Sequence, residues 1–429
     1  MATSHISIYA ELLSNIRQVS LAVSLDSATD ESTKVRIAHS NDTSSVHVSH
    51  AGETSHLTLP GRVSCPEGQE LTIQRRSADA KVLTWRLPLV HDNQTAAQRE
   101  GARSSVPWEA RDLVPGSEVS CRKCQAPLVR EGSVKEWKDL PAEGWAEMME
   151  FWHCHKPGEE HHHGHDHSSN GTAEDKSAHE TKADEETLAS RGYGATSTIT
   201  AQKGVGFVDL TTLLFAEEDC AGITFSVSAF SAGATSRDTL TEATSISSMS
   251  SGLNIFCTNC ETRIGYFNYK TSAVTVFKWQ VSCQTNTPAP RTPPTVPECL
   301  SATLSATISR TGSSKSLLLP INGLASPYST SRSAPVLHFW ILNPSLRYAS
   351  THAATSGPTP AMKLLYRTIS REEADRILED VNSDVQEVNL PEEAICVVAE
   401  ALGESNALLP VAERRYREWT VGMLRTWEG

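Results

Sequence analysis

Over about the first 95 residues, apolar and polar side chains alternate in short runs, ISIYAEL, RQVSLAVSL, TKVRIAH, SVHVSH, SHLTLP, LTIQRR and KVLTWRLPL, separated by turn-forming residues. A period of two puts successive side chains on opposite faces of a strand, so these runs predict antiparallel strands with one face on a core, as in half of a β-sandwich or barrel. The same pattern returns in GVGFVDLTTLLF, in LNIFCTNCETRIGYFNYKTSAVTVFKWQVSC, and in SLLLPI, APVLHFWIL, MKLLYRTI and EVNLP. AICVV, which holds Cys396, reads as an apolar strand that buries its thiol. The period changes in two places. In LPAEGWAEMMEFWHCHKP, Trp145, Met148, Met149 and Trp152 fall at i, i+3, i+4 and i+7, predicting a short amphipathic helix that ends near His153, Cys154 and His155, with Pro157 as its stop. Ser370 followed by Glu373 is a capping-box pattern and predicts a helix over 371–381.

Between these patterned stretches lie segments that carry none. Residues 158–193 are charged and His-rich, cannot bury enough apolar surface to offset the entropy of ordering, and are expected to be a disordered insertion. A Ser/Thr/Ala-rich stretch interrupts the pattern over about 225–250, and a Pro/Thr-rich linker covers 285–297. The expected organisation is a β-rich N-terminal domain (1–120), a Cys-x-x-Cys hairpin followed by the Trp-His-Cys-His helix (121–157), the insertion (158–193), a β-rich segment with a second Cys-x-x-Cys (194–284), the linker, and an α+β region (298–429). The fold class is mostly β, with antiparallel sheets, sandwich-like halves and a few short helices.

Composition narrows the function classes. A formal net charge of -13 and the lack of any Lys/Arg-dense stretch argue against direct binding of nucleic acid, which needs a basic surface to displace counterions. The N-terminal stretch has no charged leader followed by an apolar core, and no run of about 18 apolar residues occurs, so neither secretion nor a membrane span is expected. A cytoplasmic and nuclear location follows as an expectation. In a reducing compartment the ten cysteines read as metal ligands, reactive thiols or small buried residues rather than disulfides.

Two Cys-x-x-Cys pairs, Cys121/Cys124 and Cys257/Cys260, carry the strongest chemical signal. A two-residue spacer lets both thiolates of one turn face a single tetrahedral ion, and four sulfurs would close one structural zinc site joining two hairpins far apart in sequence. Buried unreactive thiols are the alternative. Dithiol redox chemistry needs such a pair at a helix start, whereas both pairs lie between strand-like runs. Cys154, flanked by His153 and His155, has three open roles: a nucleophile with a neighbouring base, a metal site with the two histidines as further ligands, or a small buried residue. The tract His161, His162, His163, His165 and His167 would bind transition metals only incidentally. Trp145, Phe151 and Trp152 are either partner-binding anchors or core. Gly204 and Gly206 read as a turn, and no phosphate loop, nucleophile elbow or H-E-x-x-H is present.

Taken in order, YAELLSNIR, CRKCQAPL, GWAEMMEFWHCH, GVGFVDLTTLL, IFCTNCETRIGY with VFKWQV, and ALLPVAERRYREWTVGMLRTW resemble the HECT-like proteins that bind ubiquitin-conjugating enzymes. The resemblance covers nearly the whole chain. It implies an E3 ubiquitin ligase, or ligase-like adaptor, that contacts a ubiquitin-conjugating enzyme and ubiquitin, with the Trp-His-Cys-His helix as docking element. For fungal members it also implies partnership with the endonuclease of messenger-RNA 3′-end cleavage and polyadenylation. An ordinary HECT domain has its nucleophilic Cys near the C-terminus. With Cys396 expected to be buried, Cys154 is the better thioester candidate.

Overall fold

The computed structural model describes residues 6–40, 42–73, 81–90, 106–140, 199–226, 253–269, 271–286, 292–321, 334–353 and 357–428. The chain divides into two compact units, Met1–Pro107 with Pro294–Gly429, and Trp108–Pro293. Among the described residues no helix is long and apolar enough to cross a membrane.

In the first unit the alternating N-terminal runs form the strands Ile6–Leu13, Gln18–Leu25 and Val82–Pro88, and Lys34–Ser40, Thr43–His50 and Glu53–Thr58 form a separate three-stranded sheet. Their inward residues, including Ile6, Ile8, Val19, Leu21, Val35, Ile37, Val46 and Val48, share one core, which is the sandwich the alternation predicts. LTIQRR departs from expectation. Its described part is no strand, and it is tied to the sheet by the Leu71 N–H donating to Val35 O at 2.8 Å and by the bridge between Arg36 and Glu70 just before it.

The N-terminal strands do not end the larger sheet. It continues through Val336–Ser350, Thr359–Ile369, Trp419–Arg425 and Arg415–Tyr416, so Tyr9 pairs with Ser350 and Glu11 with Tyr348. Nearly all pairing is antiparallel. Lys315–Pro320 joins the other end of the 15-residue strand Val336–Ser350, and Gln386–Leu390 lies parallel beside it.

Three α-helices are described. The first, α1 (Val296–Thr311), begins where the linker was expected to run into strands. Its Ser and Thr content disguises it, because these residues weaken helix propensity by competing for backbone groups. Here their hydroxyls bond back into the helix, Thr303 to Cys299 O, Thr307 to Thr303 O and Thr311 to Thr307 O. A reciprocal capping box between Thr295 and Glu298 starts the helix, and Gly312, left-handed at φ 74°, ends it. The second, α2 (Arg371–Glu379), starts as predicted, with Ser370 Oγ accepting the Glu373 N–H at 3.2 Å.

The third, α3 (Glu392–Leu408), corrects the strand reading of AICVV. Ala394, Ile395, Val398, Leu402 and Ser405 form its buried stripe at helical spacing, which leaves Cys396 exposed. This helix runs along the edge of Trp419–Arg425. Ser405 Oγ accepts the Met423 N–H at 2.9 Å and Asn406 Nδ2 donates to Val421 O at 2.7 Å, so the sheet edge is closed to other strands.

The second unit has a seven-stranded sheet in the order Ile223–Ser226, Leu253–Cys257, Arg263–Asn268, Ala273–Phe277, Thr212–Phe215, Val205–Val208, Glu136–Asp139, whose last two strands are parallel. A three-stranded sheet holds Val281–Cys283, Val119–Cys121 and Pro127–Val129. Gly204 is the expected turn residue at φ 80°. Gly206 is not; it lies within a strand, where any Cβ would run into the Trp137 ring.

Candidate metal centre

Each Cys-x-x-Cys occupies a turn after a short strand. Cys121 ends one strand of the small sheet and Cys257 ends one strand of the large sheet. The two turns are copies of one conformation. In the first, the Cys121 N–H bonds Ala126 O, Gln125 N–H bonds Cys121 O, and Gln125 is left-handed at φ 59°; in the second, Cys257 N–H bonds Thr262 O, Glu261 N–H bonds Cys257 O, and Glu261 has φ 56°. Curling each turn this way aims backbone N–H groups at sulfur, those of Lys123 and Cys124 at Cys121 and those of Asn259 and Cys260 at Cys257. Such N–H groups favour thiolates over thiols.

The two turns face each other. Cys121 Sγ lies 3.7 Å from Cys260 Sγ, Cys124 Sγ lies 3.6 Å from Cys257 Sγ, and all four sulfurs fall within 4.8 Å of one another. The first cysteine of each turn thus meets the second of the other. These separations are far too long for a disulfide, whose sulfurs sit about 2 Å apart. They match the edge of a tetrahedron around a metal bonded to sulfur at about 2.3 Å, which is about 3.8 Å. The four cysteines can therefore hold one metal ion, and among the described residues this is the only such cluster.

Electrostatics agree with that use. Burial pushes the Cys121 thiol up to about 12, whereas the Asn259 side chain and the Ala126 N–H hold Cys124 down at about 6. Four adjacent sulfurs cannot all lose their protons without a cation among them, and a divalent ion supplies that charge.

One connecting segment clamps the turns. Ala221 N–H donates to Leu128 O at 2.7 Å beside the first turn, and Gly222 O accepts the Thr258 N–H at 2.9 Å inside the second. Gly222 has φ +60°, and a Cβ there would stand 2.5 Å from Pro127 O. Neither Gly222 nor Asn259 was singled out from the sequence. An Ala-Gly pair preceding a strand carries no metal signature, and Asn259 is simply an interior residue of its Cys-x-x-Cys.

Cys154, His153 and His155, the anchors Trp145, Phe151 and Trp152, and the His161–His167 tract lie outside the described residues. Of the remaining described thiols, Cys299 is fully buried, and burial raises the pKa of Cys65, Cys220 and Cys283. Cys396 is exposed, yet its thiol is also held up, by partial burial and by Glu400, Glu392 and Glu393.

A family model described as HECT-like ubiquitin-conjugating enzyme (E2)-binding matches residues 11–421, through both Cys-x-x-Cys turns. The chain belongs to this HECT-like E2-binding family. Two curated relatives are similar over short stretches: an uncharacterized protein of Schizosaccharomyces pombe, 43% identical over 54 residues, and an uncharacterized protein of Saccharomyces cerevisiae, 35% identical over 52 residues. Each stretch is 12% of this chain and 15% of the relative's length. No solved structure matches.

Proposed function

We propose that this HECT-like protein is an E3 ubiquitin-protein ligase that binds a charged ubiquitin-conjugating enzyme and promotes transfer of its ubiquitin to a bound substrate in the cytoplasm and nucleus. The family match over residues 11–421 carries this reading. The metal is zinc, held by Cys121, Cys124, Cys257 and Cys260 as thiolates. Zinc is redox-inert and favours four sulfur ligands in a closed tetrahedron, so its part is to fix two sheets of the second unit and not to take part in transfer. Trp145, Phe151 and Trp152 serve as docking anchors for the conjugating enzyme, and Cys154 is the candidate if ubiquitin passes through a thioester on this chain.

A second reading has its own support, because no described thiol outside the four-cysteine cluster is both exposed and activated. The protein then acts as a non-catalytic binder that stabilises the endonuclease of messenger-RNA 3′-end cleavage and polyadenylation.

Reconstitution separates the two. Purified full-length protein is mixed with a panel of ubiquitin-charged conjugating enzymes, and discharge is followed on non-reducing gels beside Cys154→Ser. Accelerated discharge supports the ligase; its loss in Cys154→Ser supports a thioester, and its retention an adaptor. Binding to the endonuclease without acceleration for any conjugating enzyme refutes the ligase reading.

A further inference from the structure

Two exposed aromatic side chains occur among the described residues, Trp340 at 36% and Tyr416 at 51% exposure, and both flank Trp419. The Trp340 ring lies 6.3 Å from that of Trp419, and Tyr416 is the direct cross-strand partner of Trp419 in the terminal hairpin. Arg367, ion-paired to Glu373 at 2.9 Å, sets its guanidinium 5.1 Å from the centre of the Trp419 ring. Leu342, two residues beyond Trp340, is 49% exposed. The remaining exposed large apolar residues, such as Ile16, Val82 and Val381, are aliphatic. Single aliphatics of that kind are ordinary surface.

The platform differs from ordinary surface in composition and rigidity. Trp, Tyr and Arg are the residues that most often anchor protein interfaces. Here they stand on consecutive strands of a hydrogen-bonded sheet, and Arg367 is already held between a carboxylate and a ring, so little freedom remains to be lost on binding. Arg415 and Arg417 border Tyr416, with Arg417 stacked 5.5 Å from its ring, and neither has a carboxylate partner among the described residues. The complementary partner has an apolar centre and acidic side chains at its edge.

We propose that Trp340, Leu342, Trp419 and Tyr416, rimmed by Arg367 and Arg417, form a docking surface for the ubiquitin-conjugating enzyme. This inference rests on the E2-binding reading above, and it adds a contact in the first unit that is independent of Trp145, Phe151 and Trp152. The occupant follows from the family's described property, which requires a surface for a folded protein, and from the aromatic centre and cationic rim found here.

The test uses the full-length chain and a panel of purified ubiquitin-conjugating enzymes, with affinities measured by calorimetry at low and physiological salt. The Trp340→Ala, Tyr416→Ala double variant is expected to weaken binding about 10-fold or more, as for interface hot spots. Arg417→Glu is expected to weaken it severalfold and to flatten its salt dependence. Val381→Ser, at an equally apolar but isolated exposed site, leaves it unchanged. Affinities within twofold of the parent for both platform variants overturn the assignment while leaving E2 binding intact. If the double variant fails to fold, Arg417→Glu alone decides. Unchanged E2 binding with loss of self-association assigns the platform to a second copy and overturns the proposal. A parent chain that binds no conjugating enzyme overturns both the proposal and the reading beneath it.

Discussion

Gly222→Ala tests whether the two cysteine turns depend on the segment that clamps them. The substitution carries two separable costs. Gly222 is left-handed at φ +60°, and an L-residue there costs about 1 kcal/mol relative to Gly. The added Cβ would also lie 2.5 Å from Pro127 O, a backbone atom with no flexible side chain to swing away. Relief requires the segment to back off, stretching the Ala221–Leu128 and Gly222–Thr258 hydrogen bonds of 2.7 and 2.9 Å. Overpacking of this kind costs about 1–3 kcal/mol, for a sum of about 2–4 kcal/mol. Gly132→Ala is the matched control in the same unit. Gly132 has φ +80° with open space where its Cβ would go, so it incurs the backbone term alone. Urea unfolding reads the difference, and hydrogen exchange over 119–129 and 253–263 locates it. Gly222→Ala should lower stability by clearly more than Gly132→Ala and speed exchange at both turns. Equal losses in the two variants, or faster exchange at only one turn, would refute the clamp.

Four further outcomes are expected. Elemental analysis of protein lacking 158–193 should find about one zinc per chain, lost together with native structure in either Cys121→Ser or Cys257→Ser; zinc retained in one variant would break the four-sulfur assignment. Acidification should release that metal, because protons compete for thiolates, and a zinc-sensitive dye should report affinity falling steadily as pH drops. Alkylation of Cys396 should be slower at neutral pH than for an unperturbed thiol and should accelerate in Glu400→Gln, since that carboxylate helps hold the pKa up; peptide mapping after a short iodoacetamide pulse decides. Burial, with Arg367 beside it, holds the folded His338 down at about 4 against an ordinary 6.5. The unfolded chain therefore takes up a proton first, so stability present above pH 6.5 is lost as pH falls from 6.5 toward 4. Thermal melts of His338→Gln over that interval should show a flatter pH dependence than the parent.

Legibility followed the strength of the local pattern. Strands such as Lys34–Ser40 and Thr43–His50 were readable because a side chain facing the core every second residue leaves a period in the sequence. The helix α1 was not, because buried Ser301 and Thr307 stand where apolar residues would mark its face, although Thr295, Pro297 and Glu298 already spelled its N-terminus. In α3 the run AICVV is too short to separate strand from helix by itself, and the decisive residues, Leu402 and Ser405, lie further on. The cysteine cluster was legible through chemistry: four thiols at paired two-residue spacing have few other uses in a reduced protein. Its clamp at Gly222 and the platform around Trp419 were not legible, because each is assembled by tertiary pairing between residues that no spacing rule connects.

The distribution of thiols constrains how any ligase activity would work. A cysteine that accepts ubiquitin must reach the thioester on its partner and must ionise near neutral pH. Cys121, Cys124, Cys257 and Cys260 can all ionise together only by sharing a cation, which also withdraws them from nucleophilic attack. Cys299 has no access, while burial keeps Cys220 and Cys283 protonated. Cys396 has access but faces three glutamates, the opposite of the cationic surroundings that activate thiols. Among the described residues outside the four-cysteine cluster, then, accessibility and activation never coincide. A transfer step on this chain rests on Cys154; otherwise the only reacting thiol is that of the conjugating enzyme, and this protein contributes by holding enzyme and substrate together, which converts an encounter between two molecules into a step within one complex. The two cases diverge under hydroxylamine, which cleaves thioesters: a labile ubiquitin adduct on this chain that Cys154→Ser abolishes establishes the first, and substrate modification that proceeds undiminished in Cys154→Ser establishes the second.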